Sequence, residues 1–306
     1  MSANEDLEEA SNNMMMYCAA CGIAGADDIK LKKCTACKCV RYCGVKCQKE
    51  HRPKHKKECK KRAAELRDEI LFKQPESRDL GDCPICCIPL PIDPSKSMLI
   101  ACCSKFICKG CCHASEVREL EGNLQPKCPF CRHPRTNNDE ERERNTLMVK
   151  RAEANDPVAL YQMGGKRHQE GDYDGAFQYW TKSAALGHAG AHFNLSIMYE
   201  MGQGVEENEK KELYHLEEAA IGGNPYARHN LAIVEGKSGR YERAMKHDIV
   251  AANLGHDISL EHVSEGFKAG FVSKEDFAAT LRAHQAAVDA TKSAQREEAE
   301  AGRRVM

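Results

Sequence analysis

The chain has 306 residues, a formal net charge of −1 and 18 cysteines, all of them between Cys18 and Cys131. It contains no run of 18 apolar residues, so no membrane span is expected. The first residues lack the basic and apolar segments of a secretory signal, so we expect a reducing compartment, the cytoplasm and/or the nucleus. In such a compartment paired cysteines are expected to bind metal rather than form disulfides.

The first cysteine group contains four pairs of metal-ligand type: Cys18-x2-Cys21, Cys34-x2-Cys37, Cys43-x3-Cys47 and His55-x3-Cys59. A C-x2-C pair offers two thiolates from one turn, and a pair four residues apart offers two ligands on one helix face. The four pairs therefore predict two tetrahedral zinc sites, with Cys39 left over. Iron–sulfur ligation, disulfides and inert thiols are less favoured alternatives, because the ferredoxin spacings are absent and a histidine is present.

The run CTACKCVRYCGVKCQKEHRPKHKKEC resembles the MYND zinc finger, a protein-interaction module. The resemblance implies an interleaved arrangement with one zinc at Cys18, Cys21, Cys43 and Cys47 and the other at Cys34, Cys37, His55 and Cys59. Gln48 matches the residue of the family's peptide groove. Arg52, however, replaces the family's tryptophan and Gly44 its serine. Zinc binding is therefore expected, and the usual proline-peptide specificity is not.

Residues 30–62 are strongly basic, with fourteen Lys and Arg against two Glu. One interpretation is a phosphate or nucleic-acid patch. The other is a solvated face that balances the negative zinc–thiolate centres. The second is favoured because no aromatic platform is interleaved with the charges. A nuclear factor with nucleic-acid contacts is accordingly the weakest functional alternative.

The second cysteine group has the ligand ladder Cys83-x2-Cys86, Cys102-Cys103, Cys108-x2-Cys111 and Cys128-x2-Cys131. Eight thiolates predict two further tetrahedral sites, which brings the expected total to four zinc ions per chain. Cys87 and Cys112 are left over.

This ladder, with its CPIC and CPFCR motifs, resembles a RING finger. Lys105 stands where the usual RING histidine would be, so the nearest variant is the all-cysteine RING. The resemblance implies one zinc at Cys83, Cys86, Cys108 and Cys111 and the other at Cys102, Cys103, Cys128 and Cys131. Cys102 is the weakest of these ligands, since adjacent cysteines on one zinc are sterically awkward, and Cys112 and His113 are its alternatives.

RING fingers that act as ubiquitin ligases carry no nucleophile but orient a ubiquitin-charged conjugating enzyme, the E2. The resemblance therefore implies no catalytic residue of the chain's own and three E2-contact candidates. Ile85 lies inside the first knuckle, Pro129 inside the last, and Arg132 at the position of the family's linchpin arginine. A purely scaffolding RING is the alternative.

The cysteine-free half repeats itself with steps of 32, 36 and 32 residues, which predicts a helical solenoid. Small residues recur at Ala159, Ala191, Ala227 and Ser259, and apolar residues at Met163, Leu195, Leu231 and Val263. Gly187, Gly223 and Gly255 are predicted left-handed helix caps.

The motifs KSAALGHAGAHFNL and EEAAIGGNPYARHNL resemble Sel1-like repeats, relatives of the TPR. Trp180, Tyr161 and Phe193 are assigned to the core, and His192, His229, His247 and His256 to surfaces or caps, because they lack metal-ligand spacing.

The sequence thus predicts a multidomain chain: two small cross-brace zinc-binding domains followed by an all-α helical-repeat solenoid. The expected order is a disordered tail (1–15), a MYND-type finger (16–60), a helical linker (61–80), a RING-type finger (81–135), a charged linker (136–154), about four Sel1-like repeats (155–290) and a C-terminal capping helix or tail (291–306).

The predicted function is zinc-dependent protein interaction, in the form of a RING-type ubiquitin ligase or of a non-catalytic adaptor. The expected partners are proteins, namely an E2 and an unknown substrate or adaptor. Nucleic acid is disfavoured as a partner, and no membrane is expected. No organic cofactor is expected beside zinc.

Overall fold

The computed structural model describes residues 17–26, 29–134 and 140–302. The chain forms two compact units, residues 1–73 and residues 74–306. The tail predicted to be disordered lies outside the described residues. Among the described helices, none combines the length and the apolar character needed to cross a membrane.

The first unit is built around two short antiparallel strands and one long helix: β1 (Lys32–Lys33), β2 (Arg41–Tyr42) and α1 (Val45–Leu71). Its small core consists of Cys18, Cys34 and Cys37 packed with Tyr42. Few apolar side chains are buried here, so bound metal must supply much of the stability of this unit. Helix α1 ends at Leu71, before residue 80, where the predicted helical linker should end. One reason is Pro75, which disfavours helical backbone at the residue before it.

The second zinc domain contains a 3-10 turn (Pro94–Lys96), strands β3 (Ser97–Ile100) and β4 (Lys105–Cys108), and helix α2 (Lys109–Glu121). The strands form an antiparallel hairpin in which Ile100 pairs with Lys105. Leu90, Ile100 and Ile107 form its core together with several cysteines.

The remainder of the second unit is helical. The helices are α3 (Glu140–Glu153), α4 (Pro157–Gln169), α5 (Tyr173–Ala185), α6 (Ala189–Met201), α7 (Glu209–Ile221), α8 (Pro225–Lys237), α9 (Tyr241–Asn253), α10 (Asp257–Lys268), α11 (Lys274–Asp289) and α12 (Ala294–Gly302). Helices α4 to α11 form four antiparallel pairs whose successive members pack on one another. Each predicted small residue at a helix crossing has no exposed surface: Ala159, Ala191, Ala227 and Ser259.

The residues that cap these helices recur at equivalent positions of the repeat. The residues before α4, α6, α8 and α10 are Asp156, His188, Asn224 and His256, and each side chain accepts a hydrogen bond from a backbone N–H of the first turn. The predicted left-handed glycine caps are present, with φ of +86° at Gly187, +86° at Gly223 and +91° at Gly255. A side chain would be strained at these positions.

Two connecting segments differ from their predicted roles. The charged linker contains α3, because Met148 and Ala152 are buried against Leu160 of the first repeat. Residues 74–80 are not helical, and Asn224 Nδ2 donates to Asp79 Oδ2 at 2.7 Å.

The C-terminal helix α12 packs on α2 of the second zinc domain. The sequence predicted that it would cap the repeats. The local reason is Gly110 of α2, where a Cβ would overlap the backbone of Arg296. The absence of a side chain at Gly110 allows the two helices to approach closely.

Candidate metal centres

Four C-x2-C turns of the two zinc domains have the same local geometry. In each, the N–H of the residue after the second cysteine donates to the carbonyl of the first cysteine, at 2.8 to 3.1 Å. That residue has a left-handed backbone, with φ between 55° and 72°: Gly22, Lys38, Cys87 and Arg132. The fifth C-x2-C pair is different, because Cys108 caps α2 and its Sγ accepts from Cys111 N.

In the first unit these turns and α1 bring the predicted ligands together in two groups. One holds Cys18, Cys21, Cys43 and Cys47, and the other holds Cys34, Cys37, His55 and Cys59. The Cys21–Cys43 and Cys34–Cys59 sulfur atoms are 3.7 Å apart, and Cys37 Sγ is 3.2 Å from His55 Nε2. An S–Zn–S tetrahedron with bonds of about 2.3 Å has an edge of about 3.8 Å. Both groups therefore fit zinc.

The second domain holds two further groups of the same kind: Cys83, Cys86, Cys108 and Cys111, and Cys102, Cys103, Cys128 and Cys131. Cys86 and Cys108 have sulfur atoms 3.9 Å apart, and Cys103 and Cys128 have theirs 3.7 Å apart. Within each group all four ligand atoms lie within 4.8 Å of one another. All 18 cysteines are free thiols in the structure, and none is paired as a disulfide.

The turn between β3 and β4 explains how the adjacent Cys102 and Cys103 reach the same centre. Residues 101–104 form a tight loop that closes with Cys103 N donating to Ile100 O at 3.1 Å, and Ser104 has φ of +51°. In an extended strand the two side chains would point to opposite faces. Lys105 takes no part in the group, since its ammonium lies 5.1 Å from the ring centre of Phe130.

Within each group the chain favours the ionised form of one sulfur. Burial raises the pKa of Cys18, but hydrogen bonds from the backbone of Cys21 and neighbouring residues outweigh it and bring this pKa to about 6. By contrast, close contact with the sulfurs of Cys43 and Cys21 raises the pKa of Cys47 to about 12. A divalent cation is therefore what allows all four sulfurs to be thiolates at once. The pKa is lowered in the same way at Cys34, Cys83 and Cys131.

The three spare thiols have separate environments. Cys39 and Cys87 are exposed. Cys112 is buried, and its Sγ lies within hydrogen-bonding distance of Met98 Sδ and Glu116 Oε1, at 3.4 and 3.2 Å. It lies outside the four groups, as does His113. Cys102 thus takes the place for which these two were the alternatives.

The predicted E2-contact residues are all exposed. Ile85 lies between the two cysteines of its knuckle with 42% of its surface accessible. Pro129 and Arg132 are exposed at the last knuckle.

Sequence reasoning missed Arg296 of α12. Its guanidinium donates to the carbonyls of Pro89 and Ile88 at 2.8 and 3.1 Å and lies 3.6 Å from Cys86 Sγ. This places a cation beside the negative centre that Cys86 would help to form. The nearest sequence signal was one arginine among several charged residues of the C-terminal tail, which is not distinctive.

Two aromatic residues that were assigned to the core are only partly buried. Trp180 is buried and its indole N–H donates to Tyr161 O at 3.0 Å. Tyr161 and Phe193, however, line a cavity of about 410 Å³ together with Phe106 and Leu90 of the second zinc domain.

The solenoid also contains a titratable cluster that the sequence did not predict. His229, Asp248 and His262 have ligand atoms within 4.8 Å of one another. His229 was assigned to a surface or cap, since no metal-ligand spacing surrounds it. The cluster escaped detection because its members come from three different helices.

Comparison with known proteins matches part of the first unit to a known family. Residues 18–59 match the family described as the MYND finger. A stretch of 56 residues is 39% identical to HcpC of Helicobacter pylori (strain J99), whose name assigns it provisionally to the beta-lactamases. The match covers 18% of this chain and 19% of HcpC, so the chain spans about a fifth of that relative's length.

Two solved structures are similar to the helical part. A Sel1 repeat protein from Oxalobacter formigenes aligns at 16% identity and a TM-score of 0.43, covering 56% of this chain and 70% of its own. The protective antigen c5321 of uropathogenic Escherichia coli, which displays an SLR fold, aligns at 20% identity and a TM-score of 0.40, covering 55% and 36%. At these scores the repeat assignment rests on the helix pairs and buried rows described above. The chain thus combines a MYND-type finger match at residues 18–59, four ligand groups that fit zinc, and a helical part built of repeated helix pairs.

Proposed function

We propose that the second zinc domain is a RING-type domain and that the chain is a ubiquitin ligase. The observation that carries this proposal is the exposure of three residues at two C-x2-C turns. Ile85 is exposed at the first turn, and Pro129 and Arg132 are exposed at the last. An isoleucine in a four-residue metal turn contributes nothing to a core, so its exposure favours a role in binding.

The proposed activity is catalysis by orientation. Ile85 and Pro129 would offer apolar contacts to an E2, while the two zinc centres keep their knuckles rigid. The planar guanidinium of Arg132 can donate to two partners at once, the E2 and its linked ubiquitin. Holding the thioester in one attack-ready geometry accelerates transfer without a nucleophile from this chain. The MYND finger and the repeats would then recruit the substrate.

The test is ubiquitin-chain formation with purified full-length protein, E1, a panel of E2 enzymes, ubiquitin and ATP. Arg132→Ala and Ile85→Ala are each expected to lower the rate by about tenfold, the loss expected for about 1.4 kcal/mol of transition-state contact. Zinc content should stay unchanged in both variants. Arg118→Ala, an exposed arginine on α2, is the matched control and should retain activity.

A non-catalytic adaptor is the second candidate, and α12 favours it. This helix packs on α2, and Arg296 lies against the first knuckle at Cys86, so part of the surface around that knuckle is already covered. Absence of ubiquitin transfer across a broad E2 panel, for the full chain and for a variant lacking residues 294–306, would favour the adaptor and reject the ligase.

The cytoplasm and/or the nucleus is the proposed compartment. The supporting observation is that all 18 cysteines are free, which matches a reducing environment. Cell fractionation tests this, and recovery in an oxidising compartment would contradict it.

A further inference from the structure

Three side chains from three successive helices converge within the last two helix pairs. His229 of α8 and His262 of α10 approach the same carboxylate, that of Asp248 in α9. His229 Nδ1 is 3.2 Å from Asp248 Oδ1, and His262 Nδ1 is 3.3 Å from Asp248 Oδ2. The two imidazole rings have their centres 4.8 Å apart. Two imidazole nitrogens and one carboxylate therefore face a common point.

Asp248 occupies a core position of the repeat. The equivalent residues of the other three pairs, at steps of 36, 32 and 32, are Trp180, Leu216 and Thr280. All four positions are buried, and Asp248 retains 1% of its surface. An ionised carboxylate in such a place is costly unless a cation or strong donors compensate it. The chain therefore places an acidic side chain where its own repeat pattern calls for an uncharged one.

Two kinds of compensation are available to the Asp248 carboxylate. Hydrogen bonds from a protonated imidazole to a carboxylate are usually about 2.7–2.9 Å long. With metal bonds of about 2.0–2.1 Å, an edge of a tetrahedron measures about 3.3 Å. The two observed nitrogen–oxygen separations, 3.2 and 3.3 Å, end on different oxygens of the Asp248 carboxylate, and the three ligand atoms lie within 4.8 Å of one another, so one ion can contact all three residues.

The surroundings are polar, and one side is open. Ser259 Oγ is 3.2 Å from His229 Nδ1 and 3.0 Å from His256 Nδ1, so a hydroxyl borders the cluster. The side chain of His262 is 38% exposed, whereas that of Asp248 is 1% exposed. An ion could thus enter past His262, while the carboxylate stays fixed in the core.

We propose that His229, Asp248 and His262 bind one divalent transition-metal ion of the zinc type. Three protein ligands leave a tetrahedral ion with one open position, as in metal sites that bind a water or a small ligand. This centre is separate from the four cysteine groups and does not depend on ligase activity.

The test uses the full-length protein with its cysteine groups saturated with zinc. Co²⁺ is added, and bound cobalt is measured by equilibrium dialysis and by absorption. The expected result is one Co²⁺ per chain with d–d bands but no thiolate-to-cobalt charge transfer, because the ligands are nitrogen and oxygen. Cobalt that appears only with thiolate bands has exchanged into the cysteine groups and overturns the proposal.

Variants add a second readout. Asp248→Asn and His262→Gln should each weaken Co²⁺ binding by at least about 100-fold. Loss of a residue that only hydrogen-bonds to a metal ligand weakens binding by at most about 100-fold, so a larger effect indicates direct ligation. His284→Gln is the matched control, because it removes a histidine–aspartate contact of 2.9 Å to Asp257 that belongs to no metal-ligand group among the described residues. Circular dichroism checks the folding of each variant. Equal binding by the control and by both variants would also overturn the proposal.

Discussion

At the scale of single residues, Gly164 in α4 shows how closely the helices of the repeats pack. A Cβ at this position would overlap the indole ring of Trp180, whereas one at Gly165 would meet nothing within 4 Å. Gly164→Ala is therefore expected to destabilise the protein by about 1–3 kcal/mol through overpacking. Gly165→Ala should stabilise it by about 0.5–1 kcal/mol, since alanine is the better helix former. Chemical denaturation of the two variants measures both, and equal effects would show that the indole tolerates the methyl group.

The same scale shows what the sequence could and could not reveal about the sites. The sixteen predicted zinc ligands lie in pairs close along the chain, and such local spacing is readable. His229, Asp248 and His262 come together only when three helices pack, so their spacing along the sequence does not predict a site. The available signal was Asp248 itself, a charge in the row of Trp180, Leu216 and Thr280.

At the scale of elements, the histidine cap of α6 makes the repeats sensitive to pH. His188 Nδ1 accepts from Ala191 N at 3.2 Å, and burial lowers the pKa of His188 to about 4. Since the folded pKa lies below the unfolded value of 6.5, the contribution of His188 is complete above pH 6.5 and is lost as the pH falls toward 4. We expect the loss to be about 1–2 kcal/mol.

The repeat itself provides the matched variants. Asparagine caps α8 at the equivalent position, Asn224, so His188→Asn keeps an acceptor but cannot titrate. Thermal melts between pH 7.5 and pH 5 should fall less for His188→Asn than for the parent protein. His188→Ala should be less stable at every pH, by about 1 kcal/mol. Parallel melting curves for the parent and His188→Asn would contradict the assignment.

The elements also show why some predictions from sequence succeeded and others did not. The buried small residues and the glycine caps recur with the repeat, and a period of 32 to 36 residues makes them visible. Helix α3 and residues 74–80 have no repeat partner. Their positions depend on contacts with distant parts of the chain, such as Asp79 with Asn224, which composition does not encode. Their high charge therefore suggested exposed connectors. In the structure, α3 is a helix packed on the first repeat, and residues 74–80 pack on the repeats through Asp79.

At the scale of the whole molecule, the second zinc domain and the repeats are one compact unit. Arg151 of α3 connects them, since its guanidinium donates to the carbonyl of Cys102 at 3.3 Å and to Asp156, the cap of α4. Arg296 makes a second connection through Pro89 and Ile88. The metal centres of this domain thus hold in place backbone carbonyl groups that accept hydrogen bonds from residues of the helical part.

Loss of a zinc ligand in the second unit should therefore weaken the repeats. Cys108→Ser is expected to lower the melting temperature of the helical signal by about 5 °C or more, because α2 and the carbonyls bound by Arg296 lose their support. Cys37→Ser, in the first unit, is the matched control and should leave that transition in place. Hydrogen exchange of α4 to α11 locates the effect. Equal protection of these helices in both variants would show that the repeats hold their structure without the adjacent zinc centres, and that Arg151 and Arg296 only fasten one domain to the other.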